Sequence, residues 1–210
     1  MAIIESFETI KQNAQYVEII KKSKFIGLCF YVETAEDCKS RLEETRKKYS
    51  DATHHCYAYQ LGVNNNLQKF NDDGEPGGTA GMPIFKVIQH KALKNILVIV
   101  VRYYGGIKLG AGGLARAYSG ACSESLKLAG TATKILSYSG NLTVDYQFSS
   151  TLEHYLRKHE YVIKNIDYGE NVSFSVLTKH KWKDFSKIVT ELCNGQILIS
   201  EYKTQYYYWP

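Results

Sequence analysis

Lys108 stands inside a run of glycines, and that combination is chemistry for an anion. Five of the nine residues from Gly105 to Gly113 are glycine (Gly105, Gly106, Gly110, Gly112 and Gly113). Arg102, Tyr103 and Tyr104 precede the run, and Arg116 follows it in what reads as the first turns of a helix. A glycine loop that feeds a helix start leaves backbone N–H groups accessible beside the positive end of the helix dipole. Arg102, Lys108 and Arg116 would add full charges, and the Tyr103 and Tyr104 rings could stack on a base. The plainer alternative is that the glycines only permit tight turns and close packing.

Three other clusters and the C-terminal tail carry residue types that could do chemistry. Gly110-Ala-Gly112-Gly-Leu-Ala115 fits the dinucleotide-binding spacing, but its glycines lie several residues beyond the strand end and no acid follows at the tip of the next strand. No cofactor is therefore expected. Asp72, Asp73 and Glu75 gather in a loop and could hold Mg²⁺ through carboxylate oxygens. Asp, Gly and Pro also build ordinary sharp turns. Folded over the glycine loop, these acids would pair with Arg102, Lys108 or Arg116, and the expectation is no metal site. His54-His55-Cys56 suggests a metal corner or a thiol nucleophile. On a strand, however, His54 and Cys56 share one face and His55 takes the other, and two ligands are too few for zinc. The C-terminal Tyr202 to Trp209 is rich in aromatics, which can stack on bases or pack under helices.

The elements that must position these residues follow from periodicity. Ile96 to Val101 is an unbroken β-branched run, the pattern of a strand buried on both faces. Lys24 to Val32 and Thr53 to Leu61 read as further strands. Thr34 opens a helix with Asp37 in a near capping box, and Cys38, Leu42 and Thr45 form its inner stripe. Thr79 is expected to cap a second helix that runs to about Gln89, with Pro83 tolerated in its first turn. A third helix covers roughly residues 113 to 129, with small inward residues. Beyond Gly130 the expected order is a strand from Ser137 to Tyr146, a helix opened by a Ser150–Glu153 capping box, and strands at Tyr161 to Tyr168 and Val172 to Leu177. A helix marked by Trp182, Phe185, Val189 and Leu192 follows, ended by Asn194-Gly195, and then a closing strand from Gln196 to Tyr208. That β-α-β-β-α-β order is the ferredoxin-like arrangement. The reading is an α+β protein of two domains, residues 1–133 and 134–210.

Composition sets outer limits. Of the 210 residues, Lys and Arg number 26 against 21 Asp and Glu, a net charge of +5. This mild excess is short of the dense basic stripe that marks nucleic-acid binding by itself. Five scattered cysteines without a CxxC pair suit reduced thiols and a cytoplasmic location. The N-terminus lacks the pattern of a signal peptide, and no apolar run is long enough to span a membrane.

Asp72 to Gly81, DDGEPGGTAG, and Val100 to Tyr118, VVRYYGGIKLGAGGLARAY, closely resemble the signature segments of the Impact/YigZ family. His54-His55-Cys56-Tyr57-Ala58 extends the resemblance over the N-terminal half, and the C-terminal half is similar to the second domain of bacterial members. One departure is Gly77, where relatives often carry Ser. The resemblance implies an N-terminal domain like a small-subunit ribosomal protein and domain IV of elongation factor G, and a C-terminal domain like domain V of that factor. It also implies a role in translation: eukaryotic relatives regulate it through a protein partner, and nucleic-acid binding has been proposed for bacterial ones. The expected function is a cytosolic, non-enzymatic regulator of translation that binds RNA or a ribosome-associated partner. Its binding set is Arg102, Tyr103, Tyr104, the five loop glycines, Lys108 and Arg116. His54, His55, Asp72, Asp73, Glu75 and Thr79 form a supporting layer, and no catalytic residue is assigned. Two other readings stay open: an enzyme for a small phosphorylated substrate that uses the acidic loop, and a protein-interaction module. The sequence does not give the oligomeric state.

Overall fold

The structure, a computed structural model, describes residues 5–209. In chain order the elements are β1 (Ser6–Ile10), β2 (Ala14–Ile20), β3 (Ser23–Tyr31), α1 (Ala35–Lys48), β4 (His54–Leu61), β5 (Leu67–Asn71), α2 (Gly81–His90), β6 (Ile96–Tyr103) and α3 (Ala111–Ala129). They continue as β7 (Thr131–Val144), α4 (Tyr146–Lys158), β8 (Val162–Tyr168), β9 (Val172–Thr178), α5 (Trp182–Leu192), β10 (Leu198–Ile199) and β11 (Lys203–Tyr208). The described residues thus form an α+β protein with two sheets and five helices, and the hydrogen-bonded registers are antiparallel. The chain divides into two compact units, one of them Phe7–Thr133 and the other holding Lys134 onward.

In the first unit the strand order is β2-β3-β6-β4-β5. The β6 run explains its own sequence. Ile96, Val98 and Val100 enter a core with α2 and α3, whereas Leu97, Ile99 and Val101 enter a second core with Cys38 and Leu42 of α1. A central strand covered by helices on both faces needs apolar residues at every position, because successive side chains alternate in direction. The small inward residues of α3 serve close packing. At Gly27 of β3, a Cβ would lie 2.4 Å from the carbonyl oxygen of Ala121, so that helix can approach only a glycine. The Thr34–Asp37 capping box forms in full at the start of α1.

The second unit has β11, β7, β9 and β8 side by side in that order, with α4 and α5 supplying Leu152, Leu156, Phe185 and Val189 to its core. Three sequence expectations are corrected here. Helix α4 begins at Tyr146 with Asp145 as its N-cap, so Ser150 and Glu153 lie inside the helix and form no capping box. There Glu153 accepts a hydrogen bond from Arg157 Nε at 2.8 Å. The closing segment is two strands, β10 and β11, each paired with β7. β7 ends at Val144 rather than continuing to Tyr146. The aromatic tail packs on its own unit: Tyr202 lies against Tyr138 and Trp182, and Trp209 donates to Ser137 Oγ at 3.0 Å.

Candidate functional site

Arg102 arrives near the end of β6, in register with Phe25 of β3 on one side and His54 of β4 on the other. The acidic loop between β5 and α2 folds over this point. Glu75 Oε1 accepts from Arg102 Nη1 at 2.6 Å and from the Tyr118 hydroxyl of α3 at 2.7 Å. Arg102 is 4% exposed and Glu75 8%. A second guanidinium nitrogen of Arg102 reaches Ser23 Oγ at 3.3 Å, and its ring neighbours are Phe25 and Tyr104. The expected contact between the acidic loop and the glycine-loop region is thus made through Arg102. The same contact buries Arg102, which removes it from the exposed cations of the expected binding set.

Each acid of the loop has a structural partner. Asp72 Oδ1 accepts from the backbone N–H groups of Ala80 at 3.0 Å and Gly81 at 2.8 Å, while its Oδ2 accepts from Gly78 at 2.8 Å. It thereby satisfies the N-terminus of α2 from eight residues upstream of the N-cap. Thr79 was expected to do this and does not; Ala80 is the N-cap, and the Thr79 hydroxyl donates to the Pro76 carbonyl at 2.6 Å. Asp73 accepts from the His55 N–H at 2.7 Å and pairs with Arg46 at 3.1 Å. Carboxylates held in this way are poorly placed to ligate Mg²⁺ or to act as a base.

The histidines and the thiol are built into the same frame. His54 Nδ1 lies 2.8 Å from the carbonyl of Asp73, which can only accept, so that nitrogen carries the proton. His54 Nε2 is 3.9 Å from Glu75 Oε1. His55 points to the other side, with Nε2 at 3.1 Å from the Tyr49 carbonyl, and burial lowers its pKa from 6.5. Cys56 lies 2.9 Å from the Asp72 carbonyl, and burial pushes its thiol up to about 12. Burial also raises the Tyr118 hydroxyl. A shift in that direction lowers the thiolate fraction at neutral pH, the opposite of what activates a nucleophilic cysteine.

The glycine loop has a different character. At Gly105 a Cβ would lie 2.0 Å from the Lys22 carbonyl carbon, and the Gly105 N–H donates to Ser23 Oγ at 3.1 Å, so this glycine is a matter of packing. Gly110 takes φ 71 as the N-cap of α3. That helix starts with no side-chain cap and no acid in its first turn. Among the described residues, no protein acceptor takes the N–H groups of Ala111, Gly112 or Gly113. Lys108 is exposed, and so is Arg116, whose Nη1 would be 3.6 Å from a Cβ on Gly112. Tyr104 is 46% exposed. Tyr103 sits against the α1 core with its hydroxyl donating to Asp51 at 2.8 Å, so the two tyrosines stand on opposite faces and cannot both meet one base.

The structure therefore separates the sequence-predicted residues into two groups. Arg102, His54, His55, Asp72, Asp73, Glu75 and Thr79 make a buried or half-buried scaffold. Lys108, Arg116, Tyr104, Gly106, Gly112 and the free start of α3 make an accessible cationic edge. Sequence reading missed Tyr118 and Ser23 as partners of that scaffold.

The chain matches the family model described as the Impact N-terminal domain over residues 21–126, and a domain of unknown function, DUF1949, over residues 142–196. It is 38% identical to the IMPACT family member YvyE of Bacillus subtilis, with 97% of this chain and 94% of that protein covered. It is 36% identical to the IMPACT family member YigZ of Escherichia coli, over 86% of this chain and 90% of that protein. A crystal structure described as that of a hypothetical protein superposes with a TM-score of 0.66 at 33% identity, covering 94% of this chain and 97% of that one. Among the described residues, no helix is long and apolar enough to cross a membrane.

Proposed function

This chain belongs to the Impact family, and from that premise we propose that it regulates translation in the cytosol by binding RNA, free or on the ribosome, at the start of α3. The observation that carries the reading is the acid-free, uncapped N-terminus of α3 with Lys108 and Arg116 exposed beside it. Three N–H groups without protein acceptors and two cations suit a phosphate. Tyr104 offers one ring for a base. Arg102 and Tyr103 leave the binding set, and Arg102 becomes the residue that holds Glu75 and the acidic loop in place. The five free, buried cysteines support a reducing compartment.

The same proposal takes the two units as relatives of domains IV and V of elongation factor G. The β-α-β-β-α-β order and the β11-β7-β9-β8 strand order support that likeness for the second unit. The test is fluorescence anisotropy with structured and single-stranded RNA across a salt series. Affinity should fall steeply with salt, and Lys108→Ala should weaken binding and reduce the salt slope by about 1. Absence of RNA or ribosome association at low salt would overturn the reading.

A further inference from the structure

Helices α2 and α3 leave an open groove of about 650 Å³ between them, separate in its chemistry from the glycine loop. Four of its lining residues are Lys86, His90, Lys91 and Arg116, and no carboxylate lines it. All four are exposed. Among the described residues, none of the three permanent cations is held in an ion pair. The one acid of α3, Glu124, pairs with Lys127 at 3.6 Å. Unpaired cations that converge on one concavity create a positive field, which low-dielectric walls concentrate.

The floor is aliphatic. Met82, Pro83 and Val87 are half-buried there, and no Phe, Tyr or Trp lines the groove. The groups on which a base could stack are confined to the exposed His90 ring and Arg116 guanidinium, and the floor itself offers a base only aliphatic surface. It favours aliphatic side chains seated between cations. The α2 residues that line it recur at positions 82, 83, 86, 87, 90 and 91, one stripe along the helix. Over that stretch the groove runs roughly 14 Å at 1.5 Å per residue, the length of two to three turns of a docked helix.

We propose that the α2–α3 groove is a docking site for an acidic amphipathic segment of a partner protein, with one or two aliphatic side chains on the Met82–Val87 floor and carboxylates against Lys86, Lys91 and Arg116. This goes beyond RNA binding at the start of α3. Arg116 borders both surfaces, whereas Lys86 and Lys91 belong to the groove alone, so the two readings separate by mutation.

The probe is a labelled peptide in which Leu recurs at helical spacing among Glu residues, titrated into the full chain. Its counterparts have every Glu changed to Gln, or every Leu to Ser. The Glu/Leu peptide should bind, with either counterpart weaker by about tenfold or more. The Lys86→Glu, Lys91→Glu double variant, with its fold checked by circular dichroism, should lose peptide binding by a similar factor and keep its RNA affinity within about twofold. Lys108→Ala should do the reverse. Equal binding of the Gln peptide, or peptide binding untouched in the double variant, would overturn the proposal. So would a concentration-dependent dimer that the same double variant abolishes, since the groove would then be filled by a second copy. Displacement of bound peptide by RNA in the Lys108→Ala variant would assign the groove to nucleic acid and overturn it as well.

Discussion

Glu75 Oε1 and Arg102 Nη1 stand 2.6 Å apart in the interior of the first unit, and the Tyr118 hydroxyl donates to the same carboxylate oxygen. Taking both charges out of water is costly, and their attraction repays that only while both are present. Removing one leaves the other buried without compensation. Glu75→Ala or Arg102→Met should therefore destabilise by about 3–5 kcal/mol, read as a lowered urea midpoint. A combined Glu75→Leu, Arg102→Met variant should recover part of that loss. If both single variants unfold at the wild-type midpoint, the pair is not holding the acidic loop down.

The Asp72 carboxylate satisfies three backbone N–H groups at the start of α2. Replacing an N-capping side chain by Ala costs about 0.5–2 kcal/mol, and Asp72→Ala should fall at or above the upper end because several donors are orphaned together. Thr79→Ala should cost less, since its hydroxyl makes a single bond to the Pro76 carbonyl. Chemical denaturation of the two variants side by side checks the order. A larger loss for Thr79→Ala would restore that residue as the cap.

How much of this could be read from the chain depends on the range of the interaction. β6 was legible because burial on both faces writes itself as an unbroken apolar run, and the Thr34–Asp37 box because both partners lie within one turn. The start of α3 was legible from its glycines. The cap of α2 was not, because Asp72 acts across a loop and Thr79 occupies the place a local rule would choose. β5 was missed because all of its residues are exposed and carry no alternation. Arg102 and Lys108 look alike in sequence, and only the folding of a distant loop over the β6 end buries one and leaves the other in solvent.

Burial is the main cause that lowers the His55 pKa in the folded protein, outweighing the favourable contact with the Tyr49 carbonyl. A base whose folded pKa lies below its unfolded value of about 6.5 contributes its stability in full above that pH. As pH falls below it the unfolded chain takes up the proton first, so stability declines towards the folded pKa. Denaturation midpoints measured from neutral pH downward should show this decline, and His55→Gln should flatten it relative to the wild type. A variant with an unchanged pH profile would place the titration elsewhere.

All five cysteines are buried and free, and burial raises the Cys29 thiol to about 11 and those of Cys38 and Cys56 to about 12. The thiolate is the reactive form. Native protein should therefore react slowly with a disulfide reagent at neutral pH, and the rate should rise sharply through the urea transition. Rapid modification of Cys56 in native protein would revive a nucleophilic role for the His54-His55-Cys56 segment.

If RNA phosphate is bound at the start of α3 as proposed, the first turn of that helix sets stability against binding. A helix start normally gains from an acid in its first turn, by about 0.3–1 kcal/mol, yet this one has none and no side-chain cap. Gly112 has room for a side chain, because the neighbour nearest to a Cβ there is the flexible end of Arg116 at 3.6 Å. Gly112→Asp should raise the urea midpoint, since it supplies a carboxylate to the dipole and removes a glycine from the helix, which is worth up to about 1 kcal/mol by itself. The same carboxylate would occupy the place of a phosphate and pair with Arg116, so RNA affinity should drop by about tenfold or more. Gly112→Ala separates the effects: it should keep the propensity gain and most of the binding. If Gly112→Asp raises stability without weakening RNA, the bare helix start is not where the phosphate sits.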